Sequence, residues 1–421
     1  MFGIISLAIL FIGIKYRKYF LLLAPFLQYA GLIFLIQKHP PNMNFIINYA
    51  ELLILIIFSL SYKLKGKIPL FLFLYPLLSI PSLLFARDHL FHSIFLMLLL
   101  SLSSFLYLFY LKNMEWMLKK NIFNLSVLLW TSFGFLIKIY EAIKWAPTLA
   151  PDISTGEFMI TFRGGGLGSG MFGSNHAAGI LFLFLPFIEN PWILIFSNLY
   201  LLLTFSRGIY ALLILFWIIK VLIVISHSSN RIKIVKSIAL TCAVLSLIWV
   251  FLPISYKNLI LDLAFLRVFG SGIYFGNTLK DMILNKTLAD PRIDIWVQAI
   301  TMFKKTLFQG VGLGGFYWGQ GLIGATQEFS NAHNLYLTLI VEGGVYFFIA
   351  FSCLLVYMFS LAKRYSNPAL ISLIFFTIYG FYSGEIYSTN KIASANNYYY
   401  LIFLLAYLKW RTLNYSIKSS A

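Results

Sequence analysis

The sequence predicts an all-α, polytopic integral membrane protein with about twelve (12–13) transmembrane helices. Of its 421 residues, 60% are hydrophobic and only 11% are charged, and the mean hydropathy is +0.84. A soluble domain averages about 25% charged residues, so this chain has too little polar surface to cover a single globule. These values exclude a soluble enzyme, a disordered chain, a collagen and a coiled coil.

Thirteen apolar runs support this count of helices. A transmembrane helix needs about 20 residues, and the first run is shorter than that. This run lacks a leading positive region and a small-residue cleavage site, so we interpret it as retained rather than as a signal peptide. The runs cover residues 2–14, 19–36, 45–62, 68–85, 90–111, 122–143, 172–188, 191–206, 208–226, 236–252, 334–361, 368–387 and 395–409.

The net charge of +18 indicates membrane topology rather than a nucleic-acid partner. One set of connections carries 18 of the 32 Lys and Arg residues, with only Glu115 and Glu189 as acids. The positive-inside rule makes this set cytoplasmic. The opposite side carries the other 14 cations and 12 acids, so its charge is nearly balanced.

We expect residues 1–421 to form one integral membrane domain from which two long loops emerge on the outer side. The loops cover residues 144–171 and 253–333. The second loop is too long for a linker and contains the amphipathic stretches Leu259–Phe269 and Ile293–Phe303. These stretches predict helices that lie on the outer face of the membrane.

Two arginines near the outer side are candidates for binding an anionic substrate. Arg207 stands in a polar break between two apolar runs, and Arg292 follows Asp290 and Pro291, which predict the start of a helix. Free backbone N–H groups in a first helical turn favour an anion, and arginine binds phosphate through two parallel hydrogen bonds. The alternative for both residues is an anchor at the membrane interface.

Two further outward-facing places hold polar side chains. Arg163 precedes three glycines, which allow the backbone to approach a ligand closely, and Asn175 follows them. His333 and Asn334 stand where the second loop enters a long apolar run. Histidine can act as a base near neutral pH. The alternatives are a flexible loop with an interfacial arginine and a histidine that serves only as a cap.

Two other patterns do not lead to site assignments. Asp290 and Asp294 could suggest a metal pair, but the cap explains Asp290 and Arg292 lies between the two carboxylates, so we predict no metal site. Residues 310–315 formally match GxGxxG, but no strand–turn–helix unit surrounds them, so we predict no dinucleotide site. The two cysteines lie in apolar runs and form neither a zinc site nor a disulfide framework.

The ordered set of these motifs resembles the O-antigen ligase and O-antigen polymerase superfamily of membrane glycosyltransferases. The resemblance covers about residues 160–345. The motifs are the segment from Arg163 to Asn175, Ser206-Arg207-Gly208, Arg292 and Trp296 leading to Gly310-Val311-Gly312-Leu313-Gly314, and His333-Asn334-Leu335-Tyr336-Leu337 followed by Glu342-Gly343.

The resemblance implies a GT-C-like fold in the bacterial inner membrane, with the active site facing the periplasm. Twelve spans and two cytoplasmic termini are typical of the family, so residues 2–14 would then not cross the membrane. The implied donor is a glycan on undecaprenyl pyrophosphate. The acceptor is a lipid A–core sugar hydroxyl in a ligase, or another lipid-linked repeat unit in a polymerase.

The resemblance also implies a role for each candidate residue. Arg207 and Arg292 would neutralise the departing pyrophosphate, and His333 would act as the base or orient the acceptor hydroxyl. Arg163, Asn175 and Asn334 would contribute to substrate binding. The implied reaction is inverting and metal-independent and needs no cofactor.

Three readings of the function stay open from the sequence. The His-Asn-Leu-Tyr segment and the modest length favour a ligase over a polymerase that joins lipid-linked repeats. A transporter or lipid-linked glycan flippase is the main non-enzymatic alternative, and it predicts charges deep within several helices and repeat-related broken helices. A structural scaffold would not need two arginines and a histidine on one side.

Overall fold

Every secondary-structure element that the computed structural model describes is a helix, which confirms the all-α prediction for this part of the chain. The described residues are 69–119, 121, 123–129, 131–132, 135, 179, 181–203, 207–227, 291–325, 332, 334–382 and 393–420. Within them, the helical segments Arg87–Lys119 and Leu335–Tyr365 are long and apolar enough to cross a membrane, and several shorter helices are also apolar. The count of about twelve spans stays a prediction, because the predicted runs 2–14, 19–36, 45–62 and 236–252 lie outside the described residues.

Ten α-helices make up most of the described structure. In chain order they are α1 (Leu70–Leu74), α2 (Leu90–Ser103), α3 (Phe105–Lys119), α4 (Pro191–Leu203), α5 (Arg207–His227), α6 (Pro291–Lys305), α7 (Phe316–Ile323), α8 (Leu335–Tyr365), α9 (Asn367–Tyr382) and α10 (Ala393–Ser420). Tighter 3₁₀ turns cover Tyr75–Phe85, Arg87–His89 and Leu185–Phe187.

Two prolines explain why α1 continues as a 3₁₀ segment. Pro76 and Pro81 have no backbone N–H to donate to an α-helical ladder. The hydroxyl of Ser79 donates to the backbone carbonyl of Pro76 at 2.7 Å, and the hydroxyl of Ser82 donates to the backbone carbonyl of Ser79 at 2.6 Å. These bonds satisfy the two buried serine hydroxyls within the tightened turn.

Helices α8, α9 and α10 form an antiparallel set. The hydroxyl of Tyr336, near the start of α8, donates to the carbonyl of Thr377, near the end of α9, at 2.9 Å. The hydroxyl of Ser366, between α8 and α9, donates to that of Tyr407 in α10 at 3.3 Å. Since α9 is antiparallel to both neighbours, α8 and α10 run in the same direction.

The segment before α4 also runs antiparallel to α9. Gly179 lies against the ring of Tyr379. The hydroxyl of Ser372, two turns earlier in α9, donates to the carbonyl of Leu183. Residues 179–187 therefore begin at the end of the bundle where α9 finishes.

Helices α4 and α5 form a tight hairpin that places Arg207 at this same end. The indole of Trp217 donates to the side-chain oxygen of Asn198 at 3.1 Å, and the hydroxyl of Tyr210 donates to the carbonyl of Leu202. Phe187, just before α4, lies beside Tyr407 near the start of α9, whereas Phe216 of α5 lies beside Phe182 and Phe375 farther along the bundle. Helix α4 therefore runs back toward the level of Gly179, and Arg207, the first residue of the antiparallel α5, lies toward that end.

The bundle thus has two chemically different ends. At the Asn334 end, α8 and α5 begin and α9 finishes. At the Arg411 end, α8 finishes and the guanidinium of Arg411 donates to the carbonyl of Tyr365, at 3.2 and 3.3 Å. The Arg411 end carries four of the cations that the sequence assigns to the cytoplasmic side, namely Lys363, Arg364, Lys409 and Arg411.

The outward surface of the described helices is unusually apolar. Trp192 is 77% exposed, Phe91 72% and Val356 65%, although each lies on an apolar helix. A soluble protein rarely exposes so much contiguous apolar surface, whereas lipid covers it without cost. This surface agrees with the two long apolar helices and supports a membrane protein.

Candidate functional site

Helix α8 is broken near the Asn334 end. Gly344 has φ 81° and ψ 177°, which no α-helix contains. In a continuous helix, the carbonyls of Val341 and Glu342 would accept from the N–H groups four residues later. They accept instead from the N–H groups of Val311 and Gly312, at 2.8 and 3.0 Å.

The glycine loop, residues 306–315, is the partner of this break. Besides the two bonds above, the carbonyl of Phe308 in this loop accepts from Val345 N–H, just beyond the break, at 3.0 Å. Gly310 has φ 87°, and a Cβ there would come within 2.7 Å of the backbone nitrogen of Gly344. Loop and helix therefore approach each other so closely that both positions require glycine.

The side chain of Glu342 adds two further bonds between the broken helix and the loop. One carboxyl oxygen accepts from the N–H of Gly314 at 2.9 Å, and the other accepts from that of Phe316 at 3.4 Å. Glu342 is only 2% exposed. Gly315, the N-cap of α7, offers no capping side chain, so Glu342 supplies from a distant element the acceptor that a helix start needs.

A second set of polar side chains holds the other edge of the glycine loop. The Nε2 of His89 lies 2.8 Å from the carbonyl oxygen of Val311, and the hydroxyl of Ser93 donates to the carbonyl of Leu313 at 2.8 Å. The ring of His89 also stacks on that of Trp318 in α7, with the centroids 4.9 Å apart. The loop is thus fixed between the start of α2 and the break in α8.

Helix α6 brings the position of Arg292 close to the start of α8. The indole N–H of Trp296 donates to the carbonyl of Ala332 at 3.0 Å. Ile295, Ala299 and Met302 of α6 pack in a small core with Val311, Phe316, Ala332 and Val341. Arg292 lies one helical turn before Trp296 along α6, so its backbone lies near the segment that precedes α8.

Asn334 is the N-cap of α8. Its side-chain oxygen accepts from the N–H groups of Tyr336 and Leu337, at 3.0 and 3.1 Å, and the residue is 6% exposed. The cap uses the oxygen, so a contact with substrate would fall to the amide NH₂ group. The predicted substrate-binding role of Asn334 stays a prediction beside this structural one.

The predicted site residues thus divide into two groups. The structure places Arg207 and Arg292 by their backbone, and these two helix starts and Asn334 lie toward one end of the bundle. Arg163, Asn175 and His333 lie outside the described residues, although the described Ala332 and Asn334 flank position 333. The metal-free site stays a prediction, and within the described ranges no three His, Cys, Asp or Glu side chains group as metal ligands.

The two predicted outer loops are described only in part. Residues 144–171 and most of 253–333 lie outside the described ranges, as does the stretch Leu259–Phe269. The stretch Ile293–Phe303 falls within α6, so its helical prediction is confirmed. Its position on the outer face of the membrane stays a prediction.

The sequence did not reveal the supporting residues His89, Ser93 and Trp318. His89 and Ser93 stand more than 200 positions before the loop atoms that they contact. The one local signal was the pair Gly343-Gly344 inside an apolar run, next to a buried acid, together with a glycine-rich segment upstream. A helix interrupted by glycine beside a second glycine-rich segment is typical of two backbones in close contact.

Comparison with known protein families gives one match over this part of the chain. A family model described as O-antigen ligase matches residues 192–352, which run from α4 to the middle of α8 and include the glycine loop and the break. No curated protein and no solved structure matches the chain.

Proposed function

We propose that this chain belongs to the O-antigen ligase superfamily, whose family model matches residues 192–352, and that it is the ligase itself. In this proposal it transfers a glycan from undecaprenyl pyrophosphate to a sugar hydroxyl of the lipid A–core. The coarser conclusion is that the chain is a membrane glycosyltransferase of the ligase or the related polymerase type. The reaction is assigned to the periplasmic face of the bacterial inner membrane, since the basic Arg411 end fits the cytoplasmic side.

The observation that carries the proposal is the convergence at the Asn334 end. Helix starts at Arg207 and Arg292 lie toward the same end as Asn334, and Trp296 ties α6 to Ala332, next to position 333. In this proposal, two arginine cations and a histidine base at this end serve the departure of an anionic leaving group. Near a membrane, where water is scarce, such charges act more strongly than they do in bulk water.

The proposed step is a single inverting displacement. The acceptor hydroxyl oxygen forms a bond to the anomeric carbon while the bond from that carbon to the pyrophosphate oxygen breaks. His333 takes the hydroxyl proton, which typically adds about 10²–10⁴-fold to the rate. Undecaprenyl pyrophosphate leaves with the bonding electron pair, and Arg207 and Arg292 stabilise its growing negative charge. Arg163, Asn175 and the amide of Asn334 hold the donor or acceptor.

The test uses a deletion strain complemented with variants of this chain and a gel of its lipopolysaccharide. The wild type should give core that carries O-antigen, and His333→Ala should give core without it. His227→Ala, at the last residue of α5 and thus toward the opposite end, is the matched control and should behave as wild type. A normal O-antigen pattern from His333→Ala at equal expression would overturn the site assignment.

The same experiment separates the two alternative functions. Loss of a polymerase leaves core capped by a single repeat, whereas loss of a ligase leaves bare core. Purified protein in vesicles then tests the transporter reading. Movement of lipid-linked glycan without a transfer product would replace the enzyme proposal.

A further inference from the structure

Among the described residues, Glu342 is a buried acid that the proposed reaction does not use. It lies two turns into α8, 2% exposed, and its two carboxyl oxygens accept from the N–H groups of Gly314 and Phe316. Burial of a carboxyl is costly unless hydrogen bonds compensate for lost water. A simple apolar span would gain more stability from a leucine at this position, so the carboxyl points to a requirement other than membrane insertion.

Glu342 connects the two supports of the proposed reacting groups. On one side, its own backbone carbonyl accepts from Gly312 and its helix begins at Leu335, directly after positions 333 and 334. On the other side, its side chain holds Gly314 and Phe316, which follow α6 and therefore Arg292 in the chain. Besides the three backbone bonds and the shared apolar core, two side chains connect this part of the chain to α8: Trp296 toward the Asn334 end and Glu342 deeper in the bundle.

We propose that Glu342 is a positioning residue, which fixes α6 and the glycine loop against the broken helix and so sets the placement of Arg292 relative to position 333. This inference rests on the proposed function for its catalytic meaning. A displacement of about 1 Å between reacting groups can lower a rate by about 10²-fold. Glu342 itself does not contact the substrate.

A glutamate side chain suits this task better than glutamine or aspartate. Its two oxygens are both acceptors, and they meet two backbone donors of the same loop-to-helix junction. A glutamine offers one acceptor oxygen and one NH₂ group, which would face a second N–H donor. An aspartate is one methylene shorter, so its carboxyl would stand farther from both N–H groups, one of which is already 3.4 Å from Glu342.

The kinetic test compares purified Glu342→Gln with the wild type, using undecaprenyl-pyrophosphate-linked glycan and lipid A–core. We expect kcat to fall about tenfold or more, with the donor KM within about twofold of the wild-type value, because placement changes while binding groups stay. Ser352→Ala is the control, since this hydroxyl bonds only within α8, to Phe348, at 2.8 Å. A kcat for Glu342→Gln within twofold of the wild type would overturn the inference.

A distance measurement tests the same inference without any activity. Spin labels are attached to cysteines at Ile300 in α6 and Ile349 in α8, which are 44% and 53% exposed, after both native cysteines are replaced by serine. The unmodified junction should give one narrow distance distribution, and Glu342→Gln should broaden or shift it, whereas Ser352→Ala should not. Identical distributions would overturn the positioning role.

The two readouts keep the failure of this inference apart from that of the proposed function. If the wild type transfers no glycan but the distances respond to Glu342→Gln, the proposed reaction fails while the structural role of Glu342 stands. If the wild type is active and neither kcat nor distance responds, only the positioning role fails. Glu342→Ala removes both bonds, so it should lower kcat further and change the distance distribution more than Glu342→Gln does. If the alanine variant does not fold, the results for Glu342→Gln decide the question alone.

Discussion

The two halves of α8 have similar apolar character but differ in how they are held. Beyond Gly344, the hydroxyls of Ser352 and Ser360 donate to carbonyls of the same helix, at 2.8 and 3.0 Å. Before Gly344, Glu342 and Tyr336 bond to other elements, and the last carbonyls accept from the glycine loop. The half beyond Gly344 (the inner half) thus bonds to other elements only near its two ends, at Val345 and Tyr365, among the contacts described here. The half before Gly344 (the outer half) depends on residues far away in the sequence.

This contrast indicates which half of α8 is held in a fixed position by other parts of the protein. A span that only anchors the protein satisfies its own backbone groups, as any helix in lipid must. The outer half gives up that independence at Gly343-Gly344 and gains two backbone bonds to the glycine loop, and Val345, just beyond the break, makes a third. The exchange is useful only if the loop, α6 and the start of α8 must keep fixed relative positions.

We expect the largest effect from a substitution that disrupts the contact between the glycine loop and Gly343-Gly344. In Gly344→Ala, the new Cβ would clash with the carbonyl oxygen of Gln309, at a backbone conformation that almost only glycine adopts. We expect a loss of about 2–4 kcal/mol in the free energy of unfolding, measured by thermal unfolding in detergent. Gly321→Ala in α7, where no atom lies within 4 Å of the new Cβ, should be neutral or stabilising by up to about 1 kcal/mol. Equal midpoints for both variants would contradict the tight contact.

The next effect tests the functional asymmetry between the two ends of the bundle. If the proposed reaction is right, Arg292→Ala at the start of α6 should lower kcat for glycan transfer by about 10²–10³-fold, because a departing pyrophosphate would lose a stabilising cation. Arg364→Ala, in the last turn of α8 at the Arg411 end, is the matched control and should stay near the wild-type rate. The asymmetry would be refuted if both variants lost activity equally.

We expect a smaller effect from loss of the hydrogen bond that joins α6 to the segment before α8. Trp296→Phe keeps the aromatic ring but removes the indole N–H that donates to Ala332. We expect a loss of about 1 kcal/mol in the free energy of unfolding and a several-fold decrease in kcat. Trp192→Phe serves as the control, since Trp192 is 77% exposed and lies outside this junction. A decrease of the same size in both variants would count against a specific role of the Trp296 bond.

The smallest effect concerns an exposed ion pair far from the glycine loop. Glu115 and Lys119 are one turn apart on α3 and largely exposed, and the Lys119 Nζ lies 2.6 Å from the Glu115 Oε1. Pairs of this kind contribute about 0.2–0.5 kcal/mol, so Glu115→Gln should change the unfolding midpoint only marginally and transfer not at all. A marked loss of transfer in this variant would mean that function is not confined to the Asn334 end.

Hydropathy predicted most of the described helices because membrane crossing imposes a simple pattern. The run 334–361 corresponds to Leu335–Tyr365, and the Asp290-Pro291 signal predicted a helix that does begin at Pro291. The run 395–409 underestimates α10, which continues to Ser420, because a helix can extend beyond its apolar part. The run 68–85 is helical but largely 3₁₀, because of its two prolines.

The supporting structure of the site could not be predicted in the same way. Local patterns identified Arg207, Arg292 and Asn334 as polar residues within or beside apolar runs. All three positions lie in the segment that the O-antigen ligase family model matches. The pairing of Val311 with Val341, or of His89 with Val311, depends on contacts between distant segments. No periodicity in one sequence records such pairs. The glycines at 310 and 344 signalled a close approach but not its partner.

The break in α8 also has a consequence for the order of assembly. The glycine loop is synthesised before α8, so the N–H groups of Val311 and Gly312 must wait for carbonyls that emerge about 30 residues later. When Val341 and Glu342 emerge, their partners in the loop have already been synthesised, so the loop must stay close to the growing helix for the bonds to form. The proposed transfer site would therefore be complete only after α8 has been made and has met the loop.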